Sequence, residues 1–169
     1  MANILILRNA ASGDAHTKSG VAEVELQNGY AVALKAVSTE RKSRNAYKLK
    51  APTAVTDKIG IVYNADVPNL LDNRGGVYKG ISHDPRDIVF PAGTVVDIQM
   101  PSEYDEIAMT EIAGTEEGAK YVVYKSGSMK PEYATTTNGA VLAYEITGKK
   151  FVSVGAERVP TVELSYQKL

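Results

Sequence analysis

The chain has 169 residues, enough for one domain with a self-sufficient core, so neither a structural metal nor a disulfide staple is required. Its 19 basic and 20 acidic residues leave a formal charge of -1, which removes the general electrostatic case for nucleic acid or an anionic membrane as partner. Cysteine is absent, and with it disulfide frameworks, thiolate catalysis and cysteine-ligated metal sites.

The first apolar run, Ile4-Leu5-Ile6-Leu7, stops at Arg8. It falls far short of a signal-peptide core or the about 20 residues of a membrane span, so a soluble protein made in the cytoplasm is expected. The run reads as a short buried strand, an N-terminal arm, followed by the polar loop ASGDAHTKSG. Residues 1–20 are therefore set apart as strand or arm plus loop, and residues 21–169 as a single β domain. From Ala22 to Lys35, apolar Val24 and Leu26 and then Val32 and Leu34 flank Asn28-Gly29. Asn-Gly suits the type I′ turn whose twist matches paired strands, so this segment predicts a β-hairpin whose strands supply core.

Between Lys35 and Lys50 the chain carries Lys35, Arg41, Lys42, Arg44, Lys48 and Lys50 against Glu40 alone, a basic surface segment compatible with a short helical turn. Ile59 to Tyr63 reads as a buried strand. A long loop follows: residues Asn69 to Arg86 hold Asp72-Asn73, Gly75-Gly76, Gly80 and Asp84-Pro85, and connections of this length usually form interaction surfaces. Beyond it, Ile88 to Phe90, Val95 to Met100, Ile107 to Ile112, Tyr121 to Tyr124, Val141 to Ile146, Phe151 to Val154 and Val159 to Tyr166 are β-rich runs between turn residues. Their spacing predicts an all-β fold, a compact barrel or sandwich with long loops and little helix, although Tyr104 to Ala113 is ambiguous. The many sheet edges must be closed, covered or paired, and oligomerisation is one solution.

Four patterns invite a chemical reading. Ser126-Gly127-Ser128-Met129-Lys130-Pro131 resembles the segment around the nucleophile of signal-peptidase-like serine peptidases, with Ser128 in that role. Such a serine needs a neutral lysine as base, whereas Lys149 and Lys150 follow too closely and sit at a solvated Gly148 turn; a strand-ending turn is the simpler reading. Gly75, Gly80 and Ser82 echo a phosphate loop, but Ile81 stands where lysine is needed. His16 and His83 lack metal-ligand spacing, and Glu103, Asp105, Glu106, Glu111, Glu116 and Glu117 lack that of a calcium loop and read as a solvated acidic face. Tyr47 within the basic segment is one aromatic, too little for a nucleic-acid platform. No catalytic residue, metal or cofactor is assigned. The opposite signs of the basic segment and of Asp97 to Glu117 instead permit contacts between neighbouring copies.

The order of features carries a resemblance. Glu23 to Gly29 with its Asn-Gly, the basic stretch ending near Tyr47, and Ile59-Gly60-Ile61-Val62-Tyr63 come first. Asp84-Pro85-Arg86-Asp87, Pro91-Ala92-Gly93 and Arg158-Val159-Pro160 before a closing strand complete the series. This progression resembles small head-associated structural proteins of tailed bacteriophages infecting Gram-positive hosts, and it spans most of the chain. The resemblance implies a non-enzymatic virion component, a capsid decoration or auxiliary protein. Its partners would be the major capsid protein and further copies of itself, with no membrane and no nucleic acid. The N-terminal strand Ile4, Leu5, Ile6 and Leu7 and loop residues Asp72, Arg74, Tyr78 and Arg86 are the expected contacts. Removing the first ten or so residues should then reduce incorporation while leaving the domain folded. The alternatives are a fibre or tail module binding a host-surface carbohydrate or receptor through clustered Tyr30, Tyr104, Tyr121, Tyr124 and Tyr133, and a serine hydrolase centred on Ser128.

Overall fold

The computed structural model describes residues 3–9, 16–41, 43–63, 88–154 and 156–169. Among them there is no helix, and the strands form two sheets. Five strands, β2 (Thr17–Ala22), β3 (Ala31–Val37), β4 (Tyr47–Lys50), β5 (Ile59–Val62) and β6 (Val95–Gln99), close into a barrel in the order β2-β4-β3-β5-β6. Only the β2–β4 pair is parallel. The other six, β1 (Leu5–Asn9), β7 (Glu106–Met109), β8 (Tyr121–Lys125), β9 (Glu132–Ala134), β10 (Ala140–Val154) and β11 (Glu157–Gln167), form an antiparallel sheet ordered β1-β7-β11-β10-β8-β9. The all-β architecture expected from the strand spacing is present, as a barrel and a sheet side by side.

The unbroken apolar runs of β3 and β5 follow from their position between two cores. Successive side chains of a strand point to opposite faces. Val32, Leu34 and Val62 face the barrel interior with Leu26, Phe90, Val96 and Ile98, while Ala31, Ile59 and Ile61 face the sheet and pack with Met109, Tyr124, Leu142 and Tyr144. A five-stranded barrel is narrow inside. Two inward positions are accordingly glycine: a Cβ on Gly20 would overlap the Leu49 side chain, and one on Gly60 would overlap Ile98.

Several sequence expectations change. Asn28-Gly29 is a turn, closed by the Tyr30 N–H on the Gln27 carbonyl at 3.2 Å, but it joins no hairpin. Only Gly29 has positive φ (+84°), whereas a type I′ turn needs it at both central residues. The flanking segments diverge instead. Leu26 pairs with Phe90 through two backbone bonds, β3 pairs with β4 and β5, and Val24 lies 51% exposed. Gly148 is not a turn either; it follows a β-bulge between Ile146 and Gly148 inside one 15-residue strand. Ile88 to Phe90 forms a single bridge rather than a strand, and within Tyr104 to Ala113 the strand β7 settles the ambiguity. The basic segment makes turns at Glu40–Ser43 and Ser43–Ala46, not a helix.

The turn at Gly29 joins the two sheets. Its N–H donates to the Val62 carbonyl of β5 at 2.8 Å, and its carbonyl accepts the buried Tyr124 hydroxyl of β8 at 2.7 Å. Burial holds that phenol neutral by raising its pKa far above the ordinary tyrosine value. Buried Asn3 fills the space where a side chain on Gly29 would go, and its Oδ1 accepts the N–H groups of Thr110 and Glu111, both at 3.0 Å. Gly93 offers a control: its φ is also positive (+81°), yet a Cβ there would meet nothing within 4 Å. Both Gly→Ala changes place a side chain in the left-handed region at about 1–2 kcal/mol. Gly29→Ala must also displace Asn3, adding about 1–3 kcal/mol. Urea denaturation should therefore show Gly29→Ala clearly less stable than Gly93→Ala; equal losses would mean that Asn3 does not brace the turn.

Candidate functional site

The expected N-terminal contact strand is an integral edge of the sheet. Leu5 pairs with Met109, Ile6 with Ala108 and Leu7 with Ile107. Leu5 is 6% exposed in the core, Leu7 packs against the same cluster, and Ile4 and Ile6 are half-buried. Ile4 N–H donates to Thr110 Oγ1 at 2.9 Å, and Arg8 pairs with Glu163 at 3.2 Å. The strand is thus paired and packed as part of the sheet, an arrangement that argues against its removal leaving the domain intact. Asp72, Arg74, Tyr78 and Arg86, with the rest of the loop Asn69 to Arg86 and the glycines compared with a phosphate loop, lie outside the described residues.

The segment compared with a serine nucleophile straps the barrel to the sheet. Ser126 Oγ donates to the Thr53 carbonyl at 2.9 Å, Gly127 N–H to the Pro52 carbonyl at 2.7 Å, and the Met129 carbonyl accepts the Ala31 N–H at 2.8 Å. Ser128 Oγ accepts the Lys130 N–H at 3.2 Å, the strand-ending turn read from the sequence. Lys149 and Lys150 are two-thirds exposed and pair with Glu116 at 2.7 Å and Glu163 at 3.9 Å. The receiving turn is fixed by Asp57, which accepts the Thr53 and Ala54 N–H groups and the Lys35 ammonium at 2.6 Å. Lys35 above all, then the turn amides, holds its pKa well below the usual carboxylate range.

His16 Nδ1 shares a hydrogen bond of 2.9 Å with Ser102 Oγ, and among the described residues no group of three or more His, Asp or Glu is arranged to hold a metal. The acidic run is not uniformly solvated: Asp105 is buried and accepts the Ser102 N–H at 2.7 Å. The tyrosines do not gather on one groove. Tyr124 and Tyr144 are in the core, Tyr104 is 78% exposed at a turn before β7, and Tyr133 stands on β9, its pKa pushed up to about 12 by burial and by Glu116 and Glu111.

Two surface features remain. The first is a ribbon. β8 covers β10 only over Ala140–Glu145, and β7 covers β11 only over Val162–Ser165, so Phe151–Val154 and Pro160–Glu157 pair with each other alone among the described strands. From Ile146 to Val154 the strand runs roughly 30 Å past its last β8 partner, at about 3.3 Å per residue. Cross-strand partners share a face. One face carries Phe151, Pro160, Ser153 and Arg158; the other carries Val152, Val159, Val154 and Glu157. Phe151 is 58% exposed, with the Arg158 guanidinium 5.0 Å from its ring centre. Apolar side chains stand on both faces beside Ser153, Arg158 and Glu157, with Val152, Val154 and Val159 half-buried, and among the described strands nothing else pairs with this ribbon. Local pattern does not reveal it, because Phe151 to Val154 and Val159 to Tyr166 look like ordinary core strands.

The second feature is a groove of about 650 Å³ on the barrel where β2 meets β4. Val21, Val24, Leu49 and Met129 line it, and its charged residues are Glu23, Glu40, Lys48 and Lys50. No family model, curated protein or solved structure matches this chain.

The placement of β1 sets a test. A chain beginning at residue 10 loses the four β1–β7 pairs, the Asn3 brace and the burial of Leu5, the last alone worth about 1.5–3 kcal/mol. Its urea midpoint should fall sharply, with a loss of at least about 3 kcal/mol once the backbone and Asn3 bonds are included. An unchanged midpoint would mean that β1 is detachable after all.

Proposed function

We propose that this chain is a non-enzymatic structural subunit of a tailed-phage virion that binds the head and stabilises the capsid lattice, as a decoration or auxiliary capsid protein. The observation that carries the reading is the ribbon: a braced two-sheet body that extends a two-stranded element, with the exposed Phe151 near its tip, well beyond its own core. Such an element suits a subunit that must reach its neighbours in a repeating wall. Modest contacts suffice there, since each copy engages several neighbours at high effective concentration. The order of sequence features supplies the phage setting, and the major capsid protein is the partner that setting implies.

Several described features fit this role. The chain has no thiol to oxidise, and the barrel leaves no open edge of its own. The sheet edges at β1 and β9 and the exposed ribbon are where contacts would form. The host-binding alternative loses its main support, because Tyr124 is buried and Tyr104 lies apart from Tyr121 and Tyr133.

Purified virions from a phage encoding this chain should contain it in many copies, and a density map should place it at repeated positions on the head. Its absence from purified particles, or its confinement to the tail tip, would reject the reading.

A further inference from the structure

The ribbon and the groove occupy opposite ends of one molecule. Met129, on the groove wall, follows the C-terminal end of β8, where Ala140 pairs with Lys125; the ribbon departs past the other end of β8, where Glu145 pairs with Tyr121. From Ala140 to Val154 the strand covers up to roughly 45 Å at about 3.3 Å per residue. Backbone pairing along its whole length keeps it extended, so a chain cannot fill its own groove.

We propose that the ribbon tip of one copy, Phe151–Val154 with Glu157–Pro160, seats in the β2–β4 groove of the next copy. The inference rests on the lattice reading for its setting and gives that lattice a contact. Three features match. The groove is walled by Val21, Val24, Leu49 and Met129, and its volume of about 650 Å³ holds more than one aromatic ring, so Phe151 enters with its ribbon neighbours. The groove carries both signs, Glu23 and Glu40 with Lys48 and Lys50, and so does the tip, Arg158 on the Phe151 ring with Glu157, so the insertion sets Arg158 toward the glutamates and Glu157 toward the lysines. Val24, half-exposed beside the groove, and Phe151, more than half-exposed on the ribbon, are both covered by one event.

The two halves of this contact are different surfaces, so a reciprocal twofold pair, each tip in the other's groove, would satisfy it and stop at two copies. The proposal is the head-to-tail arrangement, which propagates from copy to copy and ends in a ring or an open chain.

The absence of cysteine makes the test clean. Ser153→Cys puts a thiol on the tip face that carries Phe151, and Val24→Cys puts one at the groove. The full chain with both changes, concentrated and mildly oxidised, should give a series of disulfide-linked dimers, trimers and higher oligomers. Either single change should stop at dimers. Adding Phe151→Glu, at an exposed position where the fold tolerates it, should abolish the series while circular dichroism and melting temperature stay unchanged. A double-cysteine chain that stops at dimers, or a series that survives Phe151→Glu in the folded protein, overturns the proposal. A chain that is present in virions but gives no series sends the ribbon to the capsid protein instead, ending this inference and leaving the lattice reading in place. A series from a chain absent from virions does the reverse.

Discussion

Gly29 is held from three directions. β5 takes its N–H, β8 supplies the Tyr124 hydroxyl to its carbonyl, and Asn3 closes the side where any other residue would carry a Cβ. Each hydrogen bond contributes only about 0.5–1.5 kcal/mol net, but leaving any of these buried groups unpaired would cost more than that. The consequence is geometric. The barrel's turn, the sheet's central tyrosine and the N-terminal strand must occupy fixed relative positions for all three to be satisfied together. The strap from Ser126 to Met129 adds further backbone ties at the same junction. A body braced in this way can hold an element at a distance from its core without the base of that element giving way.

That rigidity is what makes the ribbon useful. β10 begins in the centre of the sheet, buried from Ala140 to Tyr144, and leaves it after a bulge that redirects the strand. The inner half is stabilised by burial against β8, β11 and the barrel wall. Among the described strands the outer half has only its partner, and an isolated two-stranded ribbon is marginal in water. In the proposed assembly, covering it stabilises both the ribbon and the surface that receives it, so that folding of the tip and assembly are coupled.

The sequence made some of this legible and hid the rest for physical reasons. The β-rich character, the buried strand Ile59 to Val62, and the turn chemistry at Ser126 to Pro131 all follow from residue type and local pattern, which report backbone preference directly. The Asn28-Gly29 turn was equally visible, but its partners were not. Whether a turn joins adjacent strands or anchors a distant sheet depends on Val62, Tyr124 and Asn3, none of them near in sequence. Gly148 looked like a turn because a bulge and a turn ask for the same residue. The ribbon was the least legible of all: an apolar residue such as Phe151 reports that something covers it, not whether the cover comes from its own chain. The expected loop contacts at Asp72, Arg74, Tyr78 and Arg86 fall outside the described residues.

Hydrogen exchange along β10 tests the division between a braced base and an assembly-seeking tip most directly, because both lie on one strand. In the free, dilute protein, amides of Phe151 to Val154 should exchange far faster than those of Ala140 to Tyr144, and in purified particles they should become protected to a similar degree. Ribbon amides that are already as protected as the base in the free chain, or that stay fast in the particle, would contradict a ribbon built for assembly.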